Sequence, residues 1–393
     1  MAKHKVLVLN KISSHGLKRF PSESFDVSVD LNEPDAIMLR SFDMHNMEIP
    51  SSVQAVARAG AGTNNIPIPA LSARGVPVFN SPGANANAVK ELVLAGILIA
   101  ARNLGPAIKF VTTLQGDDAT MSKNVEDGKK NFAGVELPGR TLGIVGLGAI
   151  GGLVADTALK LGMHVLGYDP EISVDQAWRL SSLVKRAHSV EDLLKHSDFV
   201  TLHVPLIPAT KHMINAERLA LMKHSAVLLN FSREGIVEEG AVKVALDAKK
   251  LQSYICDFPT STLKDHPHVV ALPHLGASTQ EAEDNCAVMV ADQLRDYLEN
   301  GNIMNAVNFP NVQMNRESSH RLAIANANVP NMLGQISTAM AKAGLNIHNM
   351  TNKSRGEMAF TLVDLDSAVP NKVIDDLRKL EGVLNVRALP LAS

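Results

Sequence analysis

The chain has 393 residues, 46% of them hydrophobic and 20% charged, with a formal net charge of −2 at pH 7. This exceeds one ordinary domain, and the balance is that of a globular protein with large cores. The small net charge and the lack of a dense basic stretch point away from nucleic-acid and membrane partners. Two cysteines, Cys256 and Cys286, are too few for a disulfide framework and fit a reducing, cytoplasmic setting.

Predicted elements follow in chain order. Val6–Leu9 has strand length and is too short for a signal peptide, and the longest apolar stretch, Leu92–Ala101, falls short of a bilayer span. Short β-branched runs predict strands over Lys5–Asn10, Ala36–Ser41, Ala55–Gly60 and Val76–Asn80, and a helix runs from Asn87 through Ala101. Gln115–Phe132 reads as a variable, polar segment. Six further strands are expected at Thr141–Gly146, His164–Tyr168, Phe199–His203, Ala226–Asn230, Ser253–Asp257 and Val269–Leu272, the strand count of a dinucleotide-binding sheet. An amphipathic helix over Ala282–Glu299 stops at Gly301, and Gln313–Ser319 is a linker. The remainder alternates strand, helix, two strands, helix and strand from Arg321 to Ala388, a split βαβ pattern. The fold class is therefore α/β, with two Rossmann-like doubly wound parallel sheets and a small α+β ferredoxin-like unit.

The sharpest motif is Gly146-Leu147-Gly148-Ala149-Ile150-Gly151, because a strand precedes it and a helix follows. Gly146 permits the tight turn, Gly148 lets a pyrophosphate approach the backbone, and Gly151 lets helix and strand pack closely. The helix Gly151–Leu161 follows, its amino terminus facing the anion, and Ala149 and Ile150 belong to the same cofactor-binding turn. Asp169, eighteen residues after Gly151, would accept hydrogen bonds from a ribose and repel a 2′-phosphate, so the expected cofactor is NAD.

Polar residues cluster at the carboxyl ends of the later strands, where open α/β sheets bind ligands. They are His203-Val204-Pro205, Asn230 to Gly235, Asp257-Phe258-Pro259 and Pro273-His274-Leu275-Gly276. Oxidation of a secondary alcohol needs a base for the hydroxyl proton, a role that suits His274. It also needs a cation for a neighbouring carboxylate, a role that suits the fork of Arg233. His203 reads as a cofactor neighbour. His266-Pro267-His268 lacks further ligands at zinc spacing, so no metal is expected.

In these stretches, and in Arg58–Asn65, Asn80–Asn85, Tyr168-Asp169-Pro170 and Pro273–Thr279, the sequence resembles the D-isomer-specific 2-hydroxyacid dehydrogenases over nearly all of residues 36–310. The resemblance implies a split substrate-binding domain, 1–96 with 282–312, around a cofactor domain, 97–281. It assigns His274 as the acid/base, Arg233 as the carboxylate anchor, and His203, Pro205, Asp257 and Gly276 as cofactor neighbours. Asp257 has a second reading, as support for His274. The family's usual glutamate after the fifth strand is missing. Ser261 stands nearest its place, so His274 is expected to titrate closer to its ordinary range and the acid limb of activity to shift.

Arg40 and Ser41 end a strand, and Arg40 matches the arginine that contacts the phosphate in members acting on phosphorylated hydroxy acids. Arg58, Gly60 and Asn85 would complete the substrate side. The implied reaction is oxidation of 3-phosphoglycerate, with reduction of hydroxypyruvate or glyoxylate as the alternative. A non-catalytic NAD-sensing role is the remote third. Residues 318–393 resemble an ACT domain, in which Asn328 and Asn346 fit a serine-binding pattern. Both an L-serine effector and a purely subunit-pairing role stay open. A homodimer or homotetramer is implied.

Overall fold

The computed structural model describes residues 3–390 and divides into two units, one formed by the residues up to Asn85 with those from Gln280 onward, the other running from Ala86 to Thr279. Residues 1–2 and 391–393, at the outer ends of the expected first and last domains, lie outside the described residues.

The first unit opens with strands β1 (His4–Leu9), β2 (Phe25–Ser28), β3 (Ala36–Leu39), β4 (Ala55–Arg58) and β5 (Val78–Phe79). They pair in parallel in the order β2-β1-β3-β4-β5, a doubly wound sheet. Central β3 reads Ala-Ile-Met-Leu and is buried throughout, as a parallel strand covered on both faces should be. The edge strand β2 was not anticipated; only its Phe25 is buried, so it carries no apolar run.

The helix Gln280–Asn300 packs on this sheet through Ala287, Val290, Ala291, Leu294 and Leu298, one face of the helix at positions i, i+3, i+4, i+7 and i+11.

The second unit holds β6 (Thr141–Val145), β7 (His164–Tyr168), β8 (Lys185–Arg186), β9 (Phe199–Leu202), β10 (Val227–Asn230), β11 (Ser253–Cys256) and β12 (Val269–Ala271). The order β12-β11-β10-β9-β6-β7-β8 contains the six expected strands plus the two-residue edge strand β8. Chain order reverses between β6 and β9, the switch point where such sheets bind ligands. The helix Ala86–Ala101 belongs wholly to this unit, so the division falls after Asn85 and not at the expected 96/97. Its buried Val89, Val93, Ile97 and Ala100 form one stripe facing the unit's core.

The polar segment Gln115–Phe132, given no element from the sequence, is largely helical. Asp118–Gly128 forms a helix capped by the Asp117 carboxylate, which accepts from Thr120 N at 2.9 Å, and Lys129–Phe132 continues as a 3-10 turn. The helix buries no residue, so it lacks the apolar period by which helices are read.

Back in the first unit, β13 (His320–Ala327), β14 (Ile347–Arg355), β15 (Met358–Leu365) and β16 (Val383–Pro390) form an antiparallel sheet in the order β14-β15-β13-β16. The helices Met332–Lys342 and Asn371–Arg378 cover one face through Ile336, Met340 and Leu377. On the opposite face Ala323, Ala325, Phe360, Leu362 and Leu389 share a core with Tyr297 and Phe309. The sheet is thus a layer of the first unit. Among the described residues, no single helix is long and apolar enough to cross a membrane.

Candidate active site

At the end of β6, Gly146 has φ +91°, and a Cβ there would stand 2.5 Å from His203 O. A Cβ on Gly151 would stand 2.0 Å from Gly146 O, so the helix can close onto the strand only without one. Gly148 differs from both. A Cβ there would meet nothing nearer than Gln176 Nε2 at 4.0 Å, which leaves the turn open above this residue. The helix Ala149–Lys160, begun by Ala149 and Ile150, has no side chain capping its first turn, so its N–H groups stay available for an anion. The Asp169 carboxylate accepts from Leu147 N at 2.8 Å and Glu171 N at 3.0 Å, and so fixes the turn to the end of β7.

At the ends of β9 and β10 the backbone is held by one main-chain and one side-chain hydrogen bond. His203 N donates to Val145 O at 2.7 Å, and Ser232 Oγ donates to Val204 O at 2.6 Å. Pro205 follows, exposed, its carbonyl accepting from Thr210 Oγ1 at 2.5 Å. The His203 Nε2 lies 3.0 Å from Thr201 Oγ1, its Nδ1 is buried without a partner, and burial drives its pKa down to about 4. The ring is neutral at physiological pH and is not an acid/base there.

Buried Asn230 shapes the next loop. Its Nδ2 donates to Arg233 O at 2.9 Å and its Oδ1 accepts from Ser232 N at 3.2 Å, an Asx turn that projects Arg233 outward. The guanidinium is exposed and donates through Nη1 to Ser232 O.

Asp257 and His274 form the centre of this end of the sheet. Asp257 is 1% exposed; its Oδ2 accepts from Gly276 N at 3.2 Å, and its Oδ1 has no partner. Burial pushes this carboxyl above its ordinary range, with the Gly276 N–H, His274 and Arg233 pulling it back. The same residue's carbonyl accepts from His274 N at 2.9 Å. His274 has φ +49°, is exposed, and packs against Phe258 in a tilted arrangement with ring centroids 5.0 Å apart. Asp257 is therefore a buried carboxylate that feels the charge of both candidate catalytic residues, while Ser261 is exposed in the turn that follows. Phe258 and Asn230 stand within the strand-end clusters named from the sequence but were given no role there, although Asn-x-Ser-Arg at a strand end is a recognisable Asx-turn signal.

On the first unit's sheet, the expected substrate residues sit at carboxyl ends of strands. Arg58 Nε donates to Arg40 O at 3.0 Å, and Asn65 Nδ2 donates to the same carbonyl at 3.2 Å. Arg58 folds back over Gly60, where a Cβ would lie 2.5 Å from its Nη1. Arg40 Nη1 pairs with Glu283 Oε1 at 2.7 Å, a partner far away in sequence that the reading did not foresee. Ser41 is exposed beside Arg40, and Asn85 is half-buried at the end of the unit's first segment. Lys90 lies on a helix of the other unit and donates to Asn87 Oδ1 at 2.6 Å.

The two asparagines assigned to effector binding do not meet within one chain. Asn328 donates to Gly356 O at 3.0 Å beyond one end of the β13–β15 pair, whereas Asn346 pairs with Asp366 beyond the other. Eight residues of antiparallel strand, roughly 25 Å, separate them. Among the described residues, no group of three or more metal-ligating side chains is assembled, and His266 is turned to Asp247 Oδ1 at 3.2 Å.

Residues 98–276 match the model for the D-isomer specific 2-hydroxyacid dehydrogenase, NAD binding domain. The chain is 33% identical over 340 residues to the D-3-phosphoglycerate dehydrogenase of Haemophilus influenzae, covering 84% of this chain and 79% of that protein. This chain belongs to the D-isomer-specific 2-hydroxyacid dehydrogenase family. It is also 35% identical over 291 residues to the D-3-phosphoglycerate dehydrogenase of Methanocaldococcus jannaschii, covering 72% of this chain, and spans about half (53%) of that relative's length. Among solved structures, the apo D-mandelate dehydrogenase of Rhodotorula graminis superposes with a TM-score of 0.65 at 25% identity, covering 77% of this chain and 97% of the other.

The cofactor of this dehydrogenase domain is NAD, and the residues present fit it. The space over Gly148 and the uncapped helix start suit a pyrophosphate. The unpartnered Asp257 Oδ1 is a buried acceptor that suits an amide N–H.

Proposed function

We propose that this dehydrogenase oxidises 3-phospho-D-glycerate to 3-phosphohydroxypyruvate with NAD, the opening step of phosphorylated serine synthesis. The observation that carries the choice of substrate is the pair Arg40 and Arg58 at adjacent strand ends of the first sheet, linked by the 3.0 Å bond from Arg58 Nε to Arg40 O. Two arginines at neighbouring strand ends, one donating to the other's backbone carbonyl, suit a dianionic phosphate better than a small neutral side chain. The names of the relatives support the same substrate.

In this reading Gly146, Gly148, Ala149, Ile150 and Gly151 hold the pyrophosphate, and Asp169 holds the ribose hydroxyls. His203, Pro205, Asp257 and Gly276 surround the nicotinamide end. The bound cofactor supplies the hydride acceptor. Arg233 binds the substrate carboxylate and polarises the oxygen on C2. A ring nitrogen of His274 takes the hydroxyl proton as the C2–H bond is lost, and the carbonyl forms between the same two atoms. The imidazolium left on His274 is stabilised by the Asp257 carboxylate, in place of the family's glutamate. Ser41, Gly60 and Asn85 line the substrate side.

A coupled assay of NADH consumption tests the choice. Phosphohydroxypyruvate should be reduced with a kcat/KM at least tenfold above hydroxypyruvate and glyoxylate, the margin of one good ionic contact at about 1.4 kcal/mol. Equal rates would favour the ketoacid-reductase reading, and no turnover of any of them the NAD-sensing one. The chain is further read as a cytoplasmic homodimer or homotetramer without nucleic-acid or membrane partners. Its last residues resemble an ACT domain that answers to L-serine. Because Asn328 and Asn346 lie at opposite ends of their sheet, one serine could touch both only where two copies meet.

A further inference from the structure

A cavity of about 680 Å³ lies within the first unit, between the amino-terminal side of the parallel sheet and β16. This is the side away from Arg40 and Arg58, and nothing in the proposed reaction uses it. Its two walls touch at Gly75, which has φ +70° and where a Cβ would fall 2.8 Å from the Cβ of Asn385. Three charged groups in its lining are poorly compensated. Arg74 is half-buried and donates to Ile49 O at 3.1 Å and Pro50 O at 2.7 Å, but it forms no ion pair among the described residues. Arg387, on β16, lies over the Tyr297 ring at 4.5 Å and donates only to the carbonyls of Tyr297 and Leu298, again with no carboxylate partner among the described residues. Glu299 is 24% exposed, and its one cation among the described residues is Arg295 at 3.9 Å. Burial holds its carboxyl above the ordinary range.

Half-buried charges without counter-ions are costly, and each guanidinium keeps N–H groups that the carbonyls do not use. A ligand that supplies a carboxylate to the arginines and a cation to Glu299 would relieve both kinds of charge. A polyanion would not, because Asp35 and Glu23 also line the space. We propose that this cavity binds a small zwitterion, an α-amino acid or the ends of a short peptide, its carboxylate on Arg74 and Arg387 and its ammonium on Glu299. The volume is in the range of small-molecule sites and admits either source. Because β16 pairs with β13 and packs on the sheet that bears Arg40, occupancy would be felt by the whole first unit.

Calorimetric titration of the full chain with L-serine, L-glutamate and glycylglycine tests this, with succinate as the control that lacks an ammonium group. At least one zwitterion should bind with a Kd near or below about 1 mM, and succinate at least tenfold more weakly. Binding of the amino acids alone, or of the dipeptide alone, identifies the source. Glu299→Gln should weaken the zwitterion tenfold or more, and Arg74→Lys should do likewise by removing the fork. Both variants should retain the wild-type NAD-induced rise in melting temperature, which shows that they are folded. Asn328→Ala and Asn346→Ala should leave this binding unchanged. No heat with any zwitterion, equal affinity in wild type and Glu299→Gln, or loss on Asn346→Ala alone would each overturn the assignment.

Discussion

At His274 the backbone is left-handed, φ +49°, and two hydrogen bonds from its N–H, to Asp257 O at 2.9 Å and Leu272 O at 3.1 Å, keep it so. Such a conformation is uncommon for a residue with a side chain, and here it presents the ring to solvent against Phe258. If the imidazole takes the proton, His274→Gln should lower kcat by about 10²–10⁴ with little change in melting temperature. Asp257 should behave in the opposite sense on stability. Its carboxyl pKa is raised by burial, so the native state holds the proton more firmly than the unfolded chain does, and ionised Asp257 weakens the fold at neutral pH. Asp257→Asn keeps an acceptor for Gly276 N. It should melt at or above the wild-type temperature while losing about tenfold or more in kcat/KM; a lower melting point would count against this account. His203 supplies a pH dependence. Its pKa falls from 6.5 unfolded to about 4 folded, so stability is full above 6.5 and drains away as pH drops towards 4, by at most about 3 kcal/mol. Denaturant melts of wild type and His203→Gln between pH 7 and 4 should converge at the acid end.

At the scale of elements, the glycine-rich turn separates folding from binding. Gly151→Ala places a Cβ on Gly146 O and should destabilise the apo protein by about 1–3 kcal/mol. Gly148→Ala meets open space, so the apo protein should melt unchanged while the stabilisation conferred by NAD shrinks. On the other sheet Glu283 competes for Arg40, and Glu283→Gln should lower KM for the phosphorylated substrate, by severalfold, with kcat unchanged. These devices differ in how far the sequence showed them. Gly146–Gly151, Arg233 and His274 were legible because turn glycines and polar residues at the ends of apolar runs are local signals. The pairing of Arg40 with Glu283 was not, because it joins a strand end to a helix that reaches it only in the folded unit. Strands β2 and β8 and the helix Asp118–Gly128 were missed for one reason: none buries a periodic face. The spread of Asn328 and Asn346 depends on antiparallel register, which composition does not report.

For the molecule as a whole, the join between the C-terminal sheet and the rest of its unit matters most. Arg321 is fully buried, and all five of its N–H groups find acceptors. Nε and Nη2 bind the Asp364 carboxylate at 2.6 and 2.8 Å, and the remaining three reach the carbonyls of Asn300, Met314 and Asn315 at 2.9 to 3.1 Å. Burial alone would raise the Asp364 carboxyl, but the Arg321 guanidinium, the Glu317 N–H and the charge of Arg316 together hold it below its ordinary range. One side chain thus ties β13 and β15 to the end of the helix Gln280–Asn300 and to the linker. Arg321→Met should cost about 3–5 kcal/mol, because it strands a buried carboxylate. Adding Asp364→Leu should recover much of that loss, since the pair is then replaced by apolar volume. The same geometry bears on truncation. Removing residues from 318 onward would uncover Tyr297 and Phe309, which are buried against Phe360 and Leu389, so the shortened chain should expose apolar surface and aggregate. Dye binding and light scattering on that truncation decide the matter, and a stable, monodisperse product would show that the C-terminal sheet is a detachable module after all.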